Sequence, residues 1–145
     1  MCIRDRKIVS EVMLKADKFS IEASSAARIE TAVEATSCTI ETSSASKVEA
    51  SVEAGSCSLD ASSASKITLE GSARTFKADM SSASKLNAEK FSAVNATIDT
   101  SSAANVSIDC SGKLTASASS GSSIRYSGDC QTSLEKSSGG SIRKL

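Results

Sequence analysis

A short serine block, Ser43-Ser44-Ala45-Ser46-Lys47, returns as Ser62-Ser63-Ala64-Ser65-Lys66 and again as Ser81-Ser82-Ala83-Ser84-Lys85. Looser copies begin at Ser24, Ser101, Ser119 and Ser137, so successive starts lie 19, 19, 19, 20, 18 and 18 residues apart. A fixed short period of this kind marks a repeat architecture, in which each unit is too small to bury an apolar face alone. The chain therefore folds by stacking like segments on one another or it does not fold.

Aligned on the block, three apolar columns appear. Five residues before each block stand Phe19, Cys38, Cys57, Phe76, Ala96, Leu114 and Thr132. Three before stand Ile21, Ile40, Leu59, Ala78, Ile98, Ala116 and Leu134, and just after it Ile29, Val48, Ile67, Leu86, Val106, Ile124 and Ile142. Polar residues separate these positions, and alternation with period two is the strand signal. Ala and Glu are good helix formers, and Ile29/Val33 or Val48/Val52 are also spaced for one helical face. Yet β-branched residues fill the columns, and the period leaves little room for two helices with their turns, so strands prevail. Aromatics make up only 3% of the chain, which suits a slender interior rather than a wide globular core.

These observations predict an all-β fold: a single-stranded parallel β-helix, or β-solenoid, of about seven coils of 18–20 residues. Coils stacked at the ~4.8 Å strand spacing would build a rod roughly 30 Å long. The serine block is then a corner, where small side chains let the backbone turn and hydroxyls bond neighbouring backbone groups. Ser24, Ser43, Ser62, Ser81, Ser101, Ser119 and Ser137 are the structural corner positions. Residues 1–17 read as a non-native leader or a partial N-terminal coil, and residues 18–145 as the β-helix domain. Met1–Arg6 fits no repeat, and no apolar signal-peptide core or membrane span forms, because Arg4, Asp5, Arg6, Lys7 and Glu11 interrupt the apolar residues.

The corner with its following apolar residue, together with Ser119-Ser120-Gly121-Ser122-Ser123-Ile124-Arg125-Tyr126-Ser127-Gly128 and Ser137-Ser138-Gly139-Gly140-Ser141-Ile142-Arg143-Lys144-Leu145, resembles the auto-transporter adhesin head GIN domain family. The resemblance runs from about Lys18 to the end. It implies a right-handed parallel β-helix of bacterial origin, placed in the cell envelope, periplasmic or extracellular, with an adhesin-like role. One departure is that the family's corner usually reads Ser-Gly-Ala-Ser, whereas Ser44, Ser63 and Ser82 hold the glycine place here. Glycine accepts positive φ readily and serine much less so, which predicts an altered corner geometry.

Two charged columns flank the corner. Glu22, Glu41, Asp60, Asp79 and Asp99 form an acidic ladder, and Arg28, Lys47, Lys66 and Lys85 a basic one. Like charges at strand spacing repel; pairing of Lys47 with Glu30 or Glu49 on a solvated face would offset this. Together the ladders are the candidate binding face. A calcium-type site is a weaker alternative, since one carboxylate per coil supplies too few oxygens and no Asp-Gly loop is present.

Five cysteines complete the inventory. Cys38 and Cys57 share a column in adjacent coils, with α-carbons expected about 5 Å apart, within disulfide range; a small buried apolar stack is the plainer alternative. Cys110 and Cys130 sit in adjacent coils, displaced by two residues. No histidine and no CxxC spacing are present, which argues against zinc and against a Ser-His-Asp arrangement. No catalytic, metal or cofactor residue is assigned, and the chain is read as a non-enzyme.

Lysine plus arginine, 17, balance aspartate plus glutamate, 17, so no basic excess points to nucleic acid. The expected role is interaction with a surface ligand, protein or glycan. End-to-end self-association as an envelope rod and a polysaccharide-acting β-helix enzyme are the alternatives. An ice-binding solenoid needs a flat hydroxyl array, whereas the threonines here are scattered.

Overall fold

The structure is a computed structural model that describes residues 2–4, 7–23 and 28–145, with side chains from residue 15 onward. The corner serine at position 24 lies outside the described residues. In chain order the strands are β1 (Cys2–Arg4), β2 (Lys7–Ala23), β3 (Arg28–Thr42), β4 (Lys47–Ala61), β5 (Lys66–Met80), β6 (Lys85–Thr100), β7 (Asn105–Ala118), β8 (Ser123–Ser127), β9 (Gln131–Lys136) and β10 (Ser141–Lys144). No helix occurs among the described residues.

Each strand pairs in parallel with its successor, in the order β1 to β8 and then β10, while β9 pairs with β7. The result is a parallel β-solenoid of about seven turns. The register joins the columns read from the sequence: Ile29 lies opposite Val48, Val48 opposite Ile67, and Ile67 opposite Leu86. All four are buried to within 1% exposure, so the column is one continuous wall of the core. The sheet also takes in the start of the chain, with Ile3 opposite Ile21 and Lys7 opposite Arg28.

One strand spans nearly a whole coil, from one serine corner to the next. In β3 the buried positions are Ile29, Thr31 and Val33, then Cys38, Ile40 and Thr42. The inward side switches from odd to even positions between 34 and 37, so the strand bends there without losing its ladder. This second bend carries no serine block, and a block-based alignment passes over it. In the coil that follows β7 the bend breaks the strand into β8 and β9 at Gly128. That residue has φ +94°, and a β-carbon on it would stand 2.3 Å from the Cys110 carbonyl oxygen. The columns also lose their burial here: Leu134 is 37% exposed and every residue of β9 is exposed.

The corner corrects the expectation drawn from the missing glycines. Ser44 and Ala45 have φ of 55° and 54°, and the pairs Ser63/Ala64, Ser82/Ala83 and Ser102/Ala103 repeat this left-handed conformation. Serine and alanine therefore adopt the turn that glycine would favour, at a cost of about 1 kcal/mol per residue. The ladder offsets that cost. Ala45 N–H donates to the Ser63 carbonyl at 2.9 Å, and Ala64 N–H to the Ser82 carbonyl at 2.9 Å. Two consecutive left-handed residues turn the chain while keeping these groups along the rod axis, so each corner bonds to the next. The later corners close on themselves instead: Ser122 N–H donates to the Ser119 carbonyl at 3.2 Å, and Gly140 N–H to that of Ser137 at 3.0 Å. Positive φ at Ser120 and Gly121, and at Ser138 and Gly139, makes these primed turns.

The serines divide by position. The first of each block is half-buried at Ser43, Ser62, Ser81, Ser101 and Ser119 and exposed at Ser137. Two of them bond back to the preceding coil: Ser62 Oγ donates to the Thr42 carbonyl at 3.3 Å and Ser119 Oγ to that of Thr100 at 3.2 Å. The fourth position turns inward, with Ser46, Ser65, Ser84 and Ser122 all buried. Ser84 reaches the Ser81 carbonyl and Ser122 meets the Thr100 hydroxyl, both at 3.0 Å. The buried hydroxyls of Ser46, Ser65 and Thr31 have no hydrogen-bond partner among the described residues.

Candidate functional site

The acidic ladder is a true ladder: Glu22, Glu41, Asp60, Asp79 and Asp99 pair in register, each with the next. It runs on the flank just before the corner, because the position two residues ahead of the block points outward between two buried ones. The floor beside it is cut into two depressions of about 510 Å³ and 260 Å³. Asp60 lines both, so they form one groove bordered by the carboxylates on one side and Ser43, Ser62, Ser81 and Ser101 on the other. The basic ladder lies past the corner, with Arg28, Lys47, Lys66 and Lys85 in register.

The two columns meet their like-charge repulsion differently. On the basic side, neutralisation runs along the strand. Arg28 pairs with Glu30 at 2.5 Å and Lys47 with Glu49 at 2.6 Å. The hydrogen bond from Lys47 holds the Glu49 carboxyl below its ordinary range. Of the two partners expected for Lys47, Glu49 is the one engaged; Glu30 sits one coil away beside Arg28. Lys66 and Lys85 are followed by Thr68 and Asn87, and neither makes an ion pair among the described residues. Such exposed pairs contribute ~0–1 kcal/mol each, so they relieve the column rather than hold the fold.

The acidic side is less neutralised. Lys77 approaches Asp79 at 3.9 Å, while Glu41 and Asp60 are exposed and make no ion pair or side-chain hydrogen bond among the described residues. Asp99 has its carboxyl pushed above the ordinary 3.8, first by burial and then by the charge of the neighbouring Asp79. A folded-state pKa raised above the unfolded one means the fold prefers the protonated acid. Asp99 therefore favours folding below pH 3.8 and disfavours it as pH rises through its raised folded value. Asp99→Asn is expected to flatten this loss and to stabilise the protein at neutral pH. Denaturant midpoints of the two proteins from pH 3 to 7 check it, and curves that stay parallel across that range contradict it.

Asp79 and Asp99 are neighbours in the acidic column, in register in adjacent coils. No group of three or more Cys, Asp or Glu residues is placed to hold a metal ion among the described residues. No helix there is long and apolar enough to cross a membrane. Sequence reasoning found both ladders because charge type repeats with the period. It missed the groove, which exists only because the corner turns sharply beside the acidic column.

A family model described as "putative auto-transporter adhesin, head GIN domain" matches residues 4–130. No curated protein and no solved structure matches the chain.

Proposed function

The chain belongs to the auto-transporter adhesin head GIN domain family, and from that membership we propose that it is a non-enzymatic interaction module of the bacterial cell envelope, binding along its acidic groove. The observation that carries this is the in-register row from Glu22 to Asp99 lining an open groove, with Glu41 and Asp60 making no ion pair among the described residues. Desolvated or crowded carboxylates at strand spacing are a standing electrostatic cost, and a ligand that brings positive charge along the rod relieves it. An extended protein or glycan presenting amines and hydroxyls fits that chemistry, since the serine hydroxyls beside the row both donate and accept. A solenoid suits such a ligand because its face is long, rigid and regular. The lack of histidine and the regular repetition of every column favour binding over turnover.

The test is capture of the labelled protein by intact bacterial cells and by arrays of immobilised glycans and envelope proteins. It is run beside the double variant Glu41→Gln/Asp60→Asn. Binding should fall at least ~10-fold in the variant and weaken with salt, as exposed charge pairs do. Equal capture of both proteins, or capture of neither, overturns the proposal. Concentration-dependent sedimentation without capture would favour a self-associating envelope rod, and turnover of any polymer on the array an enzyme.

A further inference from the structure

Cys38, Cys57, Cys110 and Cys130 are all free thiols and fall into two neighbouring pairs. The pairs differ in the features that decide whether a disulfide forms. Cys38 lies directly opposite Cys57 inside an unbroken parallel ladder, with paired residues on both sides. Parallel strands keep side chains in register at ~4.8 Å, while the β-carbons of a disulfide stand ~3.5–4.5 Å apart. Closing the bond would pinch two strands held by their neighbours. Both thiols are also only 2% exposed, so no external disulfide reaches either sulfur.

Cys110 and Cys130 sit at the second bend of adjacent coils, where the ladder is interrupted. Pairing of β7 stops at Asp109 opposite Ser127 and resumes at Lys113 opposite Gln131. The residues between, which include Gly112 and Gly128, are not paired across this pair of coils, although Cys110 stays in register with Ala93 of β6 on its other side. The Cys110 thiol sits within the bend, within reach of the Lys113 carbonyl at 3.3 Å and of the Val94 carbonyl of the preceding coil at 3.7 Å. Cys130, the residue before Gln131, packs against the same core, two register positions along from Cys110 in the adjacent coil and near enough to raise the pKa of that thiol. Cys110 is sealed in the core, whereas Cys130 is half-buried and open to a small reagent.

We propose that the protein carries one oxidation site, Cys110–Cys130, which closes by exchange with a small-molecule disulfide of the glutathione class, while Cys38 and Cys57 remain thiols. The Cys130 thiolate attacks one sulfur of the reagent, whose S–S bond breaks, and the first small thiol leaves with a proton. The Cys110 sulfur then attacks Cys130 Sγ in the mixed disulfide, giving up its proton, and the second small thiol leaves. Two protein thiols are oxidised to one disulfide and one small disulfide is reduced to two thiols. The order follows exposure: burial pushes the Cys110 thiol up to about 11, so it is a poor first nucleophile and acts second. The bond would fasten the coil of β8 and β9 to β7 through its interrupted bend.

The test is incubation of the native full-length protein with excess oxidised glutathione, followed by acid quench, alkylation and tryptic mass mapping. The expected product links the peptide 91–113 to the peptide 126–136, with 29–47 and 48–66 recovered separately and alkylated. In Cys110→Ser the reaction should stop at glutathionylated Cys130. The linked protein should also be cut after Arg125 and Lys136 more slowly, on the order of 100-fold, as loop closure over this length lowers opening of the coil. A bond between 29–47 and 48–66, a bond to Cys2, a wild-type protein that stops at the mixed disulfide, or no reaction overturns the proposal.

Discussion

Phe76→Ala is expected to lower the stability of the solenoid by about 3–5 kcal/mol, the usual cost of emptying a fully buried phenylalanine site. The ring is 0% exposed and meets Phe91 of the next coil at a centroid distance of 5.2 Å with planes tilted by 55°. A slender interior makes such a site costly to empty. Its column neighbours in the coils on either side are Cys57 and Ala96, which have little length with which to fill a void. The backbone is held on both sides by the ladder, so the coil resists collapsing inward. The loss should be local before it is global, because a stacked repeat passes stability only to its neighbours. Urea unfolding measures the total, and amide exchange should quicken in β5 and β6 more than in β7. A loss below about 1 kcal/mol would mean that the coil repacks, contrary to the rigidity argued here.

Gly71→Ala comes next in size, at about 2–3 kcal/mol, the cost of strain at a forbidden backbone position. Gly71 occupies the interior column between Val52 and Phe91. Its φ is +114°, and a β-carbon there would lie 2.2 Å from the Val52 carbonyl oxygen and 2.9 Å from its carbon. These are backbone atoms of the adjacent coil, so no side chain can give way. The site also explains where the large rings fit: Gly71 accompanies Phe76 in one coil, and Ala96 accompanies Phe91 in the next. Each coil carries one ring and one small residue across the bend. Since the clash is with backbone, trimming the neighbouring ring by Phe91→Leu should not rescue Gly71→Ala. Denaturant midpoints of the single and double variants decide this, and recovery in the double variant would assign the role of Gly71 to ring packing instead.

The coil period, the three apolar columns and both charged ladders were legible because each depends on residue type recurring at a fixed interval. In-register parallel stacking turns such recurrence directly into contact. Less legible was anything set by how the chain turns. Ser44 and Ser63 sit in a left-handed conformation that their identity disfavours, and the corner-to-corner hydrogen bonds that sustain it appear only once coils are stacked. Serines at block positions one and four look alike in sequence, yet one set rims the groove and the other lies in the core. Lys47 could have reached either of two glutamates, and the choice of Glu49 follows from side-chain reach along one strand.

The sequence by itself determined that this chain is a stack of like coils with an apolar interior and charged flanks, because periodicity is a property of the string. Tertiary structure alone decided the second bend, where the inward phase switches between positions 34 and 37, and the groove beside the acidic row. It also decided the interruption of the ladder where Cys110 and Cys130 lie. The physical reason is common to all three. A bend changes which side of the strand faces inward, and its position is fixed by packing against the coils on either side rather than by any residue that repeats.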